Sequence, residues 1–291
     1  MDIVKQLEHL DLKNATPDDV RNIIGQASLL CVPYIIKPGA YLLRARKGGG
    51  YTKRSQLTYC PVEKCTSMQR ATLANHTMFY GVISDDQSHQ ENARAISITE
   101  CSSLCREGID SVGRERFTVS HWEVIKSLKI ASLVTDSAFP NVKDNNLLNL
   151  LRGAYMAIHG GAESTKEEKD LAELVSKEFS KTVTESYEYL ISATIATDIL
   201  TDTDFDGIVF PSVMLGGQAG LNIALTTKAV NKKLRYVRAI EHSLFKNGDK
   251  TLVRIEYATE RDGSKKNHCQ YPDFVVEKEL NIKSINDLPL R

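Results

Sequence analysis

Apolar residues recur along the chain in short bursts at two spacings, one helical and one alternating. Val20, Ile23 and Ile24 fall at helical spacing behind Thr16-Pro17-Asp18-Asp19. There an N-cap hydroxyl, a proline at the first helical position and two acids suit a helix start. Residues 1–30 therefore read as helical, with Pro33 and Pro38-Gly39 ending the stretch. Tyr41-Leu42-Leu43-Arg44-Ala45-Arg46 predicts a short strand running into Lys47-Gly48-Gly49-Gly50, read as a mobile loop. Thr77 to Ile83 is rich in strand formers and predicts a buried strand. Residues 91–105 fit both periods: Ala93, Ile96 and Glu100 share a helical face, while Ala95 to Ile98 alternate. Ser164-Thr165-Lys166-Glu167 reads as a capping box ahead of Leu171, Leu174, Val175 and Phe179. Tyr187 to Leu200 predicts another helix, closed by Thr201-Asp202-Thr203-Asp204. Asp206 to Phe210 predicts a short strand, 220–230 its neighbour, and 234–259 a hairpin turning at Asn247-Gly248. Helices and strands interleave, so the expected class is α+β or mixed α/β. Residues 1–38 are expected as an N-terminal helical extension and 39–291 as a single domain.

Composition narrows the function. With 37 basic and 37 acidic residues the formal net charge is zero, which argues against a dedicated nucleic-acid binder. No run approaches the ~18 apolar residues that span a bilayer. The start, MDIVKQLEHLDLKN, lacks the apolar core of a signal peptide. Six cysteines in 291 residues do not make a disulfide scaffold, so a cytoplasmic protein with reduced thiols is expected. The glycine-rich stretches at 48–50, 160–161 and 216–220 match neither a P-loop nor a dinucleotide fingerprint. Cys60-x4-Cys65 and Cys101-x3-Cys105 offer four thiolates for zinc, or four small buried hydrophobes. His76, His121 and His159 have no metal spacing and read as ordinary polar or half-buried residues, and no Gly-x-Ser-x-Gly elbow occurs.

What remains is a series of polar residues beside apolar strands. Arg44 ends one strand, Arg70 precedes the strand that carries Tyr80, and Glu100 closes Ala93–Thr99. Ser212 follows Asp206-Gly207-Ile208-Val209-Phe210-Pro211, and Asn222 follows a glycine-rich turn. Taken alone, the arginines read as ion-paired surface residues, Glu100 as a solvated helix residue, Tyr80 as core and Ser212 as a turn residue.

The order of these segments resembles the RES domain family. The matching pieces are Leu43-Arg44-Ala45-Arg46, Gln69-Arg70-Ala71-Thr72, Met78-Phe79-Tyr80-Gly81 and Ala95-Ile96-Ser97-Ile98-Thr99-Glu100. They end with Phe205-Asp206-Gly207-Ile208-Val209-Phe210-Pro211-Ser212 and Gly220-Leu221-Asn222-Ile223-Ala224-Leu225, so the resemblance covers roughly residues 40–230. Gln69 stands where the family has glycine, and Thr72 where it has asparagine, with Asn75 nearby.

The resemblance implies an ADP-ribosyltransferase-like fold and action on NAD as substrate, with no further cofactor. The implied role is the toxin of a toxin–antitoxin pair that degrades NAD as a glycohydrolase or phosphorylase. A protein ADP-ribosyltransferase using the same site is the alternative. An inactive NAD- or partner-binding module is a third reading, suggested by Gln69 and Thr72. Implied partners are NAD and a protein antitoxin, with a homodimer left open and neither nucleic acid nor membrane expected. Arg44 and Arg70 would hold the pyrophosphate through their rigid forks of donors, Arg46 competing with Arg44 for the first position. Tyr80 would pack on nicotinamide or ribose. Glu100 would stabilise the positive charge that develops on the ribose as the nicotinamide leaves. Ser212 and Asn222 would bind the substrate. No metal is called for, because the pyridinium is already a good leaving group.

Overall fold

The computed structural model describes residues 2–25, 27–84, 90–108, 110–137, 146–161, 164–212, 220–260 and 275–279. The chain is α+β and divides into two compact units that interleave along the sequence. The first holds Met1–Lys37, Cys60–Tyr80 and Ser127–Lys233; the second holds Pro38–Tyr59, Gly81–Lys126 and Leu234–Arg291.

In the first unit, α1 (Ile3–Glu8) and α2 (Pro17–Ile24) form where the N-terminal pattern predicts helix. Thr16 and Asp19 make a reciprocal capping box at the start of α2. The strands β1 (Val32–Ile36), β5 (Leu128–Ser132), β6 (Gly207–Pro211) and β7 (Leu221–Thr226) follow in that order across the sheet. Only the β5–β6 pair among these is parallel. Gly207 must be glycine, because a Cβ there would stand 2.3 Å from the Ala224 carbonyl oxygen on the paired strand. Helices α5 (Asn146–His159), α6 (Lys166–Ser180), α7 (Leu190–Asp202) and α8 (Thr227–Lys233) complete the unit. The capping box of α6 joins Thr165 to Glu168, one residue beyond the expected one. Leu171, Val175 and Phe179 of α6 meet Ile191 and Ile195 of α7, Ile208 and Phe210 of β6, and Leu7 and Val20 of the N-terminal helices in one core. The N-terminal helices α1 and α2 are thus built into this core.

In the second unit the order is β2 (Tyr41–Lys47), β4 (Val112–Val124), β8 (Leu234–Asn247), β9 (Lys250–Glu260) and β10 (Val275–Glu279), all antiparallel. The strand β3 (Met78–Ser84) contributes its first three residues to the first unit and its last four to the second, where it pairs with β2. The hairpin β8–β9 turns as expected, Asn247 pairing with Lys250 and Gly248 taking the left-handed φ of 63°. The ambiguous stretch resolves as helix: α3 (Gln90–Cys101) followed by α4 (Ser103–Arg106). The glycines after β2 are tied down, which corrects the expectation of a mobile loop. Gly48 N donates to the Arg116 carbonyl (2.7 Å), Thr118 Oγ1 donates to the Gly48 carbonyl (3.0 Å), and Gly50 N donates to the Glu241 carboxylate. Among the described residues no helix is long and apolar enough to cross a membrane.

Candidate functional site

The residues singled out by sequence divide between the two units: Arg44 and Glu100 belong to the second, and Arg70, Tyr80, Ser212 and Asn222 to the first.

Arg44 lies mid-strand in β2, opposite Ser120 of β4, with Arg46 opposite Thr118. Side chains alternate across a strand, so Arg44 and Arg46 share one face of the sheet and Leu43 and Ala45 the other. A polar lattice fixes the backbone at Arg44. Ser120 Oγ donates to the Arg44 carbonyl (3.1 Å) and accepts from Trp122 Nε1 (2.9 Å). The Arg54 guanidinium stacks over the Trp122 ring at 5.1 Å. Arg46 is committed locally: it donates to the Gln56 carbonyl and stacks on the Tyr51 ring at 5.0 Å.

Glu100 rides the last turn of α3, the helix that packs on β2 through a contact from Cys101 Sγ to the Ala45 carbonyl (3.4 Å). Burial raises the Cys101 thiol pKa. Arg44 opposes that shift with its positive charge and Glu100 adds to it with its negative charge.

Beside it stands a second polar group that sequence reasoning missed. Glu115 of β4, 7% exposed, accepts from Ser102 Oγ, Ser103 Oγ and Lys47 Nζ. Burial alone would raise this carboxyl, yet the three donors hold it at about 2. Lys47 Nζ also donates to Ser103 Oγ (3.1 Å), so the group staples α4 to the sheet.

In the first unit Arg70 closes a helix. Its Nη1 donates to the carbonyls of Phe179 (2.9 Å) and Glu178 (3.4 Å), and its Nη2 to that of Lys181 (2.9 Å). These carbonyls end α6, where a cation also meets the negative end of the helix dipole. Tyr189 stacks on the same guanidinium at 5.1 Å. Tyr80 points its hydroxyl at the turn that carries Arg70, accepting from Ala71 N (3.1 Å) and bonding Thr72 Oγ1. The Gln69–Thr72 bridge closes that turn. Thr72 thus takes part in positioning Tyr80. Ser212 and Asn222 are buried where β6 ends and β7 begins, Phe210 pairing with Asn222 and Ser212 N donating to the Gly220 carbonyl (3.1 Å). Residues 213–219, most of the glycine-rich turn between them, lie outside the described residues.

The cysteine pairs expected as zinc candidates fall in different units, and among the described residues no group of three or more His, Cys, Asp or Glu is placed to hold a metal ion. His159 bonds the Cys31 carbonyl (3.0 Å) and His76 is exposed, whereas His121 is fully buried. No family model matches the chain, and no curated protein matches it either.

Proposed function

We propose that this protein cleaves the nicotinamide–ribose bond of NAD, as a member of the RES family acting as the toxin of a toxin–antitoxin pair. The observation that supports the reading is that Arg44 lies on β2 and Glu100 in the last turn of α3, the helix whose Cys101 Sγ contacts the Ala45 carbonyl of that strand (3.4 Å). NAD needs both: a guanidinium fork for its pyrophosphate, and a carboxylate beside the sugar that becomes cationic as nicotinamide departs. Arg44 holds the substrate in this reading and Glu100 acts on the transition state. Arg70 contributes chiefly by fixing the end of α6 and the turn next to Tyr80. An unrestrained NAD-cleaving activity would harm its host, so a protein antitoxin that occludes the site belongs to the proposal.

Incubating the purified protein with NAD, with and without inorganic phosphate, tests this. Free nicotinamide is expected under both conditions or with phosphate only. The second product identifies the acceptor: ADP-ribose for water, a phosphorylated ADP-ribose for phosphate, and modified protein for transfer to a side chain. NAD left intact under every condition would overturn the enzymatic reading in favour of a binding module.

A further inference from the structure

Ser120 lies in the middle of β4, fully buried, directly opposite Arg44 of β2. The register pairs Leu42 with Trp122, Arg44 with Ser120 and Arg46 with Thr118, so these six residues share one face of the sheet. A serine fills little of a core and brings a hydroxyl that must find partners there, since an unmet buried group costs about 1–3 kcal/mol. Its presence at this point of the strand therefore asks what the hydroxyl holds.

The hydroxyl joins three segments of the second unit. It accepts from Trp122 Nε1 (2.9 Å) and shares its one proton between the carbonyls of Arg44 (3.1 Å) and Leu57 (3.3 Å). Leu57 is itself buried and closes the single helical turn Arg54–Gln56. Ser120 thus fastens that turn to β2 at Arg44. The same turn offers its Gln56 carbonyl to Arg46 and lays the Arg54 guanidinium over the Trp122 ring at 5.1 Å. Alanine in place of Ser120 would lose all three bonds, two of them to the backbone that flanks the arginine-bearing face.

We propose that Ser120 is a positioning residue for NAD cleavage: by tying the Arg44 carbonyl and the turn at 54–57 to one point, it fixes the root of the side chain that holds the pyrophosphate. The inference rests on the reading of Arg44 as the group that binds NAD. Ser120 touches no substrate, and its effect passes through Arg44. A guanidinium on the pyrophosphate, remote from the breaking bond, binds the ground state and the transition state alike. Misplacing it therefore weakens NAD binding and leaves the chemical step unchanged.

A double-mutant cycle on the full chain tests the proposal: nicotinamide release from NAD by wild type, Ser120→Ala, Arg44→Ala and the double variant, at a temperature where circular dichroism shows all four folded. Ser120→Ala should raise KM roughly five- to tenfold with kcat unchanged, the scale of one lost hydrogen bond. In the Arg44→Ala background the same change should leave kcat/KM where it is, because no guanidinium remains to misplace; independent effects would multiply. Ser120→Cys, with its weaker donor, should fall between serine and alanine, and it carries the same cycle should the alanine variant not fold. A wild-type KM in Ser120→Ala, a loss that falls on kcat instead, or the full loss repeated in the Arg44→Ala background would overturn the positioning role and leave the NAD reading standing. No nicotinamide release by the wild type would overturn the NAD reading, and this inference with it.

Discussion

Arg70 Nη1 stands 2.9 Å from the carbonyl oxygen of Phe179, the next-to-last residue of α6. The two lie 109 positions apart, so this cap joins distant parts of the first unit. Two further carbonyls and the Tyr189 ring complete its surroundings. Arg70→Ala should therefore lower stability by about 2 kcal/mol, the value of hydrogen bonds from a charged donor. Arg70→Lys should recover only part of this, because an ammonium cannot span three carbonyls as the planar fork does. Urea denaturation of the two variants checks both statements. A role confined to substrate would instead leave the midpoint unchanged.

The carboxyl of Glu115 is held at about 2 against an ordinary 4.5. A depressed carboxyl stabilises the fold above its unfolded pKa, and that contribution disappears as pH falls from 4.5 towards 2. The full contribution is about 3 kcal/mol. Glu115→Gln should lower stability at pH 7 and flatten the loss of stability below pH 4.5. Denaturant midpoints measured across that range decide the matter.

The buried histidines act in a higher window. Burial, then the charge of Arg238, holds His121 at about 3, and burial, then Arg94, does the same for His242; both have an ordinary value of 6.5. The unfolded chain takes up these protons below pH 6.5 while the native rings stay neutral. Stability is therefore fully present above pH 6.5 and falls as pH drops towards 3. At pH 5 each ring should cost about 2 kcal/mol. Unfolding midpoints in anion-poor buffer should decline from pH 6.5 to 5, and His242→Asn should remove about half of the decline.

What the sequence makes legible is local. The Thr16 cap, the hairpin at Gly248, and the strands around Leu43, Phe79 and Val209 depend on neighbours along the chain, and each forms where expected. Residues 91–105 fit two periods, and the choice of helix comes from packing, with Cys101 seated on the Ala45 carbonyl. β4 escapes notice because Phe117 to Trp122 are all buried, so the alternation that marks a strand covered on one side is missing. The helix-capping role of Arg70 is invisible for the same reason: its acceptors are backbone atoms more than a hundred residues away. His121 reads as unremarkable because nothing near it in sequence reveals that strand pairing would bury it opposite Arg238.

Nicotinamide release from NAD by wild type, Glu100→Gln and Glu107→Gln, measured side by side, tests the central claim most directly. Glutamine keeps the shape and hydrogen bonding of Glu100 but removes the charge that stabilises the ribosyl cation. Such an interaction acts mainly in the transition state, so turnover should fall about a hundredfold or more with NAD affinity unchanged. Glu107, the C-cap of α4, should behave as wild type when substituted. Release at the wild-type rate by Glu100→Gln, or no release by the wild type itself, would contradict the account.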